Sequence, residues 1–219
     1  MYKLVDPKTV KKYKIFCSDT LNRLKNVLRN DYDIECTFRL IGSGSKDIVT
    51  QNNDGPFDLD YNLYITRFPT DFDPNTTAKM KWLKDTIRVE LNELLGHEGF
   101  RDAQDSTSVL TARLFLNNDP LKKVFSFDVA ILAKNKNGEY CRLKHEKGLY
   151  ESFLWNQVPS SHNVYEKADE LKQYGWWEDV QDKYVELKNL YLRRMDYNHP
   201  SFIVFVEAVN QVYQEFENY

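Results

Sequence analysis

The sequence predicts an α+β fold: a mixed sheet with flanking helices, followed by a C-terminal helical lobe. Three observations carry this expectation. Strand-like alternation and helix-like spacing take turns over roughly the first two thirds of the chain. From Tyr150 no further strand pattern is read, and helical spacing takes over. The length of 219 residues, 42% of them hydrophobic, suits one domain of ordinary size with a smaller lobe. The expected division is therefore 1–149, an N-terminal helix plus the sheet, and 150–219, a helical lobe packed on it.

The elements follow in order. Asp6-Pro7 is a helix opening, since Asp caps and Pro suits the first helical position. Val10, Tyr13, Phe16, Cys17, Leu21, Leu24, Val27 and Leu28 then recur at helical spacing, and Asn30 to Asp33 reads as a turn. Ile34, Cys36, Phe38 and Leu40 alternate along a first strand that runs into Gly42. Asp47 to Pro56 is polar and ends in a loop signal. Phe57 to Ile65 is a second strand, with Asp58, Asp60, Asn62 and Tyr64 on one face. Asp73-Pro74 repeats the helix opening, Met80, Leu83, Ile87, Leu91 and Leu95 form a stripe, and Gly96 is a stop. Val109 to Leu116 and Val124 to Ala133 read as strands joined by Asn117 to Pro120. Tyr140 to Lys144 adds a fifth strand. Helices are expected over 164–174, closed by Gly175, then from Trp177 through Tyr191, and finally after Asn198-His199-Pro200, with Phe205, Val209 and Val212 on the buried face.

Composition narrows the function. A net charge of −3 provides no overall basic field, so bulk nucleic-acid binding is not expected. Cys17, Cys36 and Cys141 are scattered, with no CxxC and no His at zinc spacing, which fits reduced thiols in a cytoplasmic protein. The opening residues lack a signal-peptide apolar stretch, and no run approaches a membrane span.

One group of residues carries chemistry. Leu40-Ile41-Gly42-Ser43-Gly44-Ser45-Lys46-Asp47 is a strand ending in a small-residue turn, where backbone amides can approach phosphate. Asp58 and Asp60 share a strand face, and Asp128 lies mid-strand between Phe127 and Val129. A buried carboxylate there would cost several kcal/mol without a partner or a metal. Taken singly, an Asp-x-Asp strand is usually a solvated face and a Gly-Ser turn only a loop. Together, two acids from one strand and one from its neighbour can hold two divalent cations about 3.5–4 Å apart, the arrangement that serves phosphoryl and nucleotidyl transfer.

The order of these motifs resembles the nucleotidyltransferase superfamily typified by DNA polymerase β. Ile41-Gly42-Ser43, Asp58-Leu59-Asp60 and Phe127-Asp128-Val129 match its apolar-Gly-Ser turn, its Asp-x-Asp strand and its later third acid. The N-terminal helix and C-terminal helices look like those of oligoadenylate synthetase, cyclic-dinucleotide synthases and small bacterial nucleotidyltransferases. The resemblance implies that 1–149 is the catalytic domain and that Gly42 and Ser43 hold the triphosphate of an NTP. It further implies that Asp58, Asp60 and Asp128 bind two Mg²⁺ or Mn²⁺ ions, and that Lys46 touches phosphate. Two departures stand out. The spacer from Ser43 to Asp58 is long, so Gly44-Ser45 is an alternative phosphate turn, and Asp47 adds an acid where many members have a small residue.

The implied reaction transfers a nucleoside monophosphate from an NTP to an acceptor hydroxyl. A nucleotide or a small molecule is favoured over RNA or protein as the acceptor. The alternative is a non-catalytic nucleotide-binding or interaction protein on the same fold, such as a toxin–antitoxin partner. Trp155 and Tyr174 are open candidates for base stacking. For Trp177, Tyr184 and Tyr191 the helical stripe favours core packing. Lys144 is a candidate phosphate contact, the polar loop Asn156 to Asn163 could line a cleft, and His97, His162 and His199 read as solvent or capping residues.

Overall fold

The computed structural model describes every residue except 97, 117–118, 149–150, 159–161 and 198, and omits the side chains of 120 and 162. The chain divides into two compact units. One comprises residues 6–49 and 55–158, and the other 1–5, 50–54 and 159–219.

The larger unit is built on a seven-stranded sheet. Its strands are β2 (Glu35–Ile41), β4 (Phe57–Arg67), β5 (Phe100–Asp105), β6 (Leu110–Leu116), β7 (Asp119–Lys134), β8 (Tyr140–Glu146) and β9 (Ser152–Gln157). Their order is β2-β4-β7-β6-β5, with β8 pairing β7 beyond β6 and β9 pairing β8. The β4–β7 pair is parallel and the other pairs are antiparallel, which makes the sheet mixed as expected. The parallel connection requires a crossover, and helix α3 (Thr77–Leu95) lies within it.

Alternation gives the sheet two unlike faces. Leu59, Leu63, Phe125, Phe127, Leu110, Ala112 and Leu143 fill one face and are almost wholly buried. Helix α1 (Pro7–Tyr32) packs on that face, where the Tyr13 ring lies 5.3 Å from Phe57 and 4.2 Å from Phe125. Its capping is as read, with Asp6 accepting from the Thr9 N–H at 2.8 Å.

Several boundaries differ from expectation. Helix α1 continues through Asn30 to Tyr32 and ends at Asp33, whose left-handed φ of 53° lets its N–H reach Leu28 O. Asp73-Pro74 does not begin α3. Asp73 folds a preceding turn onto Asn75 N–H, and the helix starts at Thr77. The Gly42 turn is a single helical turn, α2 (Gly42–Ser45). Strand β9 lies past residue 150, where no strand pattern was read. It forms because β8 offers it a six-residue antiparallel register from Cys141↔Gln157 to Glu146↔Ser152.

The smaller unit comprises β1 (Tyr2–Leu4), β3 (Thr50–Asn52), α4 (His162–Gln173), α5 (Trp177–Arg193) and α6 (Ser201–Glu217). Val180, Tyr184 and Leu187 of α5, and Val204, Phe205, Ala208, Val209 and Val212 of α6, are its buried stripes. Strand β1 pairs β3, and buried Asn189 of α5 engages both backbone groups of Tyr2. The long spacer after Ser43 is thus accounted for, because it contains β3. Tyr174 and Trp176 contact Phe216, and Tyr191 stacks on His199, so these aromatics have packing partners within the unit. Expectations that fall on His97, Asn117, Asn118, Asn198 and the centre of the 156–163 loop lie outside the described residues. Among the described residues no helix is long and apolar enough to cross a membrane. All three cysteines are buried free thiols.

Candidate active site

The second face of the sheet carries the acids. In the parallel register Asp60 sits directly beside Asp128, and Asp58 lies beside Ser126. Adjacent strands run about 4.8 Å apart, so Asp60 and Asp128 project side by side from neighbouring backbones. Asp58 is exposed, while Asp60 and Asp128 are partly buried. Burial pushes the Asp60 carboxyl up to about 7, helped by the fields of Asp58 and Asp128 and opposed by Arg142 and Lys46. Asp128 is raised for the same first reason, although the Thr111 hydroxyl donates to it and Arg113 and Lys123 lie near. Its Oδ1 is buried and has no hydrogen-bond partner.

Four cations therefore bracket the acids without neutralising them. Among the described residues no group of three or more His, Cys, Asp or Glu converges closely enough to hold a metal ion as it stands. The three acids share a face and a field but do not form a closed coordination shell. The unpartnered Asp128 Oδ1 and the elevated Asp60 carboxyl are the features expected of a carboxylate site that fits hard divalent cations.

The turn after β2 is fitted against this site. Gly42 has φ +61°, and a Cβ there would collide with Asp60 Oδ2. Only glycine allows both the left-handed backbone and the close approach of that carboxylate. Gly44 has a different task, since a Cβ at its position would press into Leu40 and Leu59. It seats the turn on the sheet. The two serines differ as well. Ser45 Oγ donates to Gly42 O at 3.0 Å, and Lys46 Nζ donates to the same oxygen at 3.1 Å. The Ser43 hydroxyl is used in no hydrogen bond within the described residues. Asp47, the unexpected acid, has φ +57° and pairs with Lys14 at 2.7 Å, so its charge is answered locally.

Five site residues escaped the sequence reading as site members: Asn62, Thr111, Arg113, Lys123 and Arg142. Asn62 had a signal, since it alternates with Asp58 and Asp60. It is buried, donates to the Tyr64 hydroxyl at 3.0 Å, and leaves its Oδ1 unpartnered. Thr111 and Arg113 come to Asp128 and Ser126 through the β6–β7 register, and Arg142 through its pairing with Leu132. Such cross-strand neighbours cannot be read along the chain. By the same alternation Lys144 shares the face of Arg142. Trp155 is on the opposite face, where its indole N–H donates to Pro74 O at 2.7 Å, so it does not stack over the acids.

Sheet, turn and helices together are the polymerase β-like nucleotidyltransferase fold. Vibrio cholerae DncV in its GTP-bound form matches with a TM-score of 0.54 at 14% identity, over 82% of this chain and 45% of that chain. Its 3′-deoxy ATP-bound form matches at 0.54 and 15% identity, over 82% and 46%. V. cholerae DncV cyclic AMP-GMP synthase with the linear intermediate 5′ pppA(3′,5′)pG matches at 0.52 and 13%, over 82% and 47%. The chain spans just under half the length of these structures. No family model matches the sequence, and no curated protein matches it.

Proposed function

We propose that this protein is a metal-dependent nucleotidyltransferase of the cytoplasm, moving a nucleoside monophosphate from an NTP to an acceptor hydroxyl with release of pyrophosphate. The observation that carries the reading is the side-by-side placement of the partly buried Asp60 and Asp128, with Asp128 Oδ1 unpartnered and Gly42 packed against the Asp60 carboxylate. Structures of the same fold hold GTP, 3′-deoxy ATP and a linear dinucleotide intermediate.

In this reading Asp58, Asp60 and Asp128 hold two Mg²⁺ or Mn²⁺ ions. When bound, the ions neutralise triphosphate charge and ease deprotonation of the attacking hydroxyl. The chain supplies the rest. Gly42 and the Ser43 hydroxyl position the phosphates, and Lys46 adds positive charge at the same turn. Ser45, whose hydroxyl is spent on Gly42 O, supports the turn instead. Asp128 accepts the proton of the acceptor hydroxyl as the acceptor's own oxygen bonds to the α-phosphorus. The bond to the bridging oxygen breaks, and pyrophosphate leaves with the electron pair. Catalysis rests on position and charge rather than on a covalent intermediate. The acceptor class is a nucleotide or a small molecule.

Incubation with a mixture of the four NTPs and Mn²⁺, followed by mass spectrometry, tests the reading. A nucleotide oligomer, a cyclic nucleotide or a nucleotidylated acceptor is the expected product. NTPs returned intact, with and without candidate acceptors, would count against it.

A further inference from the structure

A pocket lies away from the acids and is lined by none of them. Strand β4 runs seven residues beyond Asp60 to Arg67, roughly 23 Å at ~3.3 Å per residue. Past its end, the loop before α3, the last turn of α1 and the first turns of α3 enclose an open cavity of about 590 Å³. Tyr32, Phe72 and Trp82 line it. The Phe72 and Trp82 centroids are 5.7 Å apart with planes inclined by 52°, and those of Tyr32 and Trp82 are 6.3 Å apart, inclined by 64°. Trp82 meets both of the other rings at a steep angle, which makes a box rather than a stack. The Tyr32 hydroxyl is engaged by Glu90 at 2.5 Å, and Trp82 is 39% exposed, a large apolar surface left open to solvent.

Charged groups of both signs stand around the box. Asp31 and Asp33 line it, and Lys79 is the cation among the described lining residues. Lys79 Nζ already stands 5.8 Å over the Phe72 ring, within the range where a ring face attracts a cation. The chain's own ammonium thus marks what this box attracts. Asp33 is partly answered by Arg67 at 2.7 Å, whereas Asp31 is exposed on the rim.

A ligand that suits aromatic walls and carboxylate rims must be cationic and must lose little on leaving water. An N-alkylated ammonium meets both demands, because its charge is spread over methyl groups that need no hydrogen-bond acceptors. We propose that the Tyr32–Phe72–Trp82 cavity binds a small quaternary ammonium cation.

The probes are choline and its neutral carbon analogue 3,3-dimethyl-1-butanol, followed through the Trp82 indole N–H resonance of the full chain. That resonance is assigned by its loss in Trp82→Phe. Choline shifts it with a saturable millimolar response, and the neutral analogue does not. Asp31→Asn, an exposed change that leaves the fold alone, weakens binding about threefold. Trp82→Ala, followed by calorimetric titration with choline, weakens it about tenfold or more. Lys79→Ala removes the internal competitor and tightens binding. Equal responses to the two probes would make the cavity merely apolar and overturn the proposal. So would no choline response, or full choline affinity in Asp31→Asn.

Discussion

The two faces of the central sheet both bury charge, and they treat it in opposite ways. Under the helices, Lys84 of α3 is 2% exposed, yet its Nζ lies 2.5 Å from Asp105 Oδ1 and 2.8 Å from Ser106 O. Asp105 also holds His145 Nδ1 at 2.7 Å, and these partners outweigh burial and pull its carboxyl below the usual range. On the other face, burial lifts the Asp60 carboxyl to about 7 and raises that of Asp128, whose Oδ1 has no hydrogen-bond partner. A buried carboxylate held against an ammonium and an imidazole, as Asp105 is, belongs to the architecture. One whose hydrogen-bonding partner is a hydroxyl, as Asp128's is, suits a site that binds cations.

This contrast can be broken residue by residue. The largest effect belongs to Phe127, which is wholly buried and contacts the rings of Tyr61, Phe100 and Phe125. Phe127→Ala should cost about 3–5 kcal/mol in urea unfolding, while Asp128→Asn next to it should cost nothing measurable. Equal losses at the two positions would erase the difference between the faces. Lys84→Met comes next, at about 2–4 kcal/mol, because it strips Asp105 of its ammonium while keeping the apolar stem.

Asp60 should behave in the opposite sense. A carboxyl raised from 3.8 to about 7 keeps its proton in the folded chain where the unfolded chain has released it. Unfolding between those values releases a proton, so chelator-treated protein should lose stability as pH rises from about 4 to 7. Asp60→Asn should remove that slope and be about 1–2 kcal/mol more stable than the wild type at pH 8, with no advantage at pH 4. Parallel melting curves at both pH values would contradict the assignment of an uncompensated charge. The smallest effect separates the serines. Ser43→Ala should weaken NTP binding three- to tenfold by calorimetry, and Ser45→Ala less than twofold.

Much of this was legible along the chain. The alternation of Phe57 to Ile65 and of Phe125 to Ile131 has period two and a buried apolar half, so both strands and the shared face of their acids could be read. The turn at Gly42 was legible as a small-residue site, but the division of labour between Gly42 and Gly44 was not. It depends on Asp60, Leu40 and Leu59 arriving from the sheet. Strands β5 and β9 were missed because FRDAQD and SFLWNQ have weak alternation and form by pairing with β6 and β8. Arg142 and Thr111 join the acids through register alone. Trp155 stayed an open candidate for stacking because a single aromatic in a segment not recognised as a strand has no readable parity.

The most direct measurement is pyrophosphate release from NTPs with Mg²⁺ or Mn²⁺ by the wild type, Asp58→Ala and Asp128→Ala, each first shown to be folded by circular dichroism. The acid face as described predicts release by the wild type and a loss of at least about a thousandfold in both variants. Release at the wild-type rate by either folded variant would contradict it.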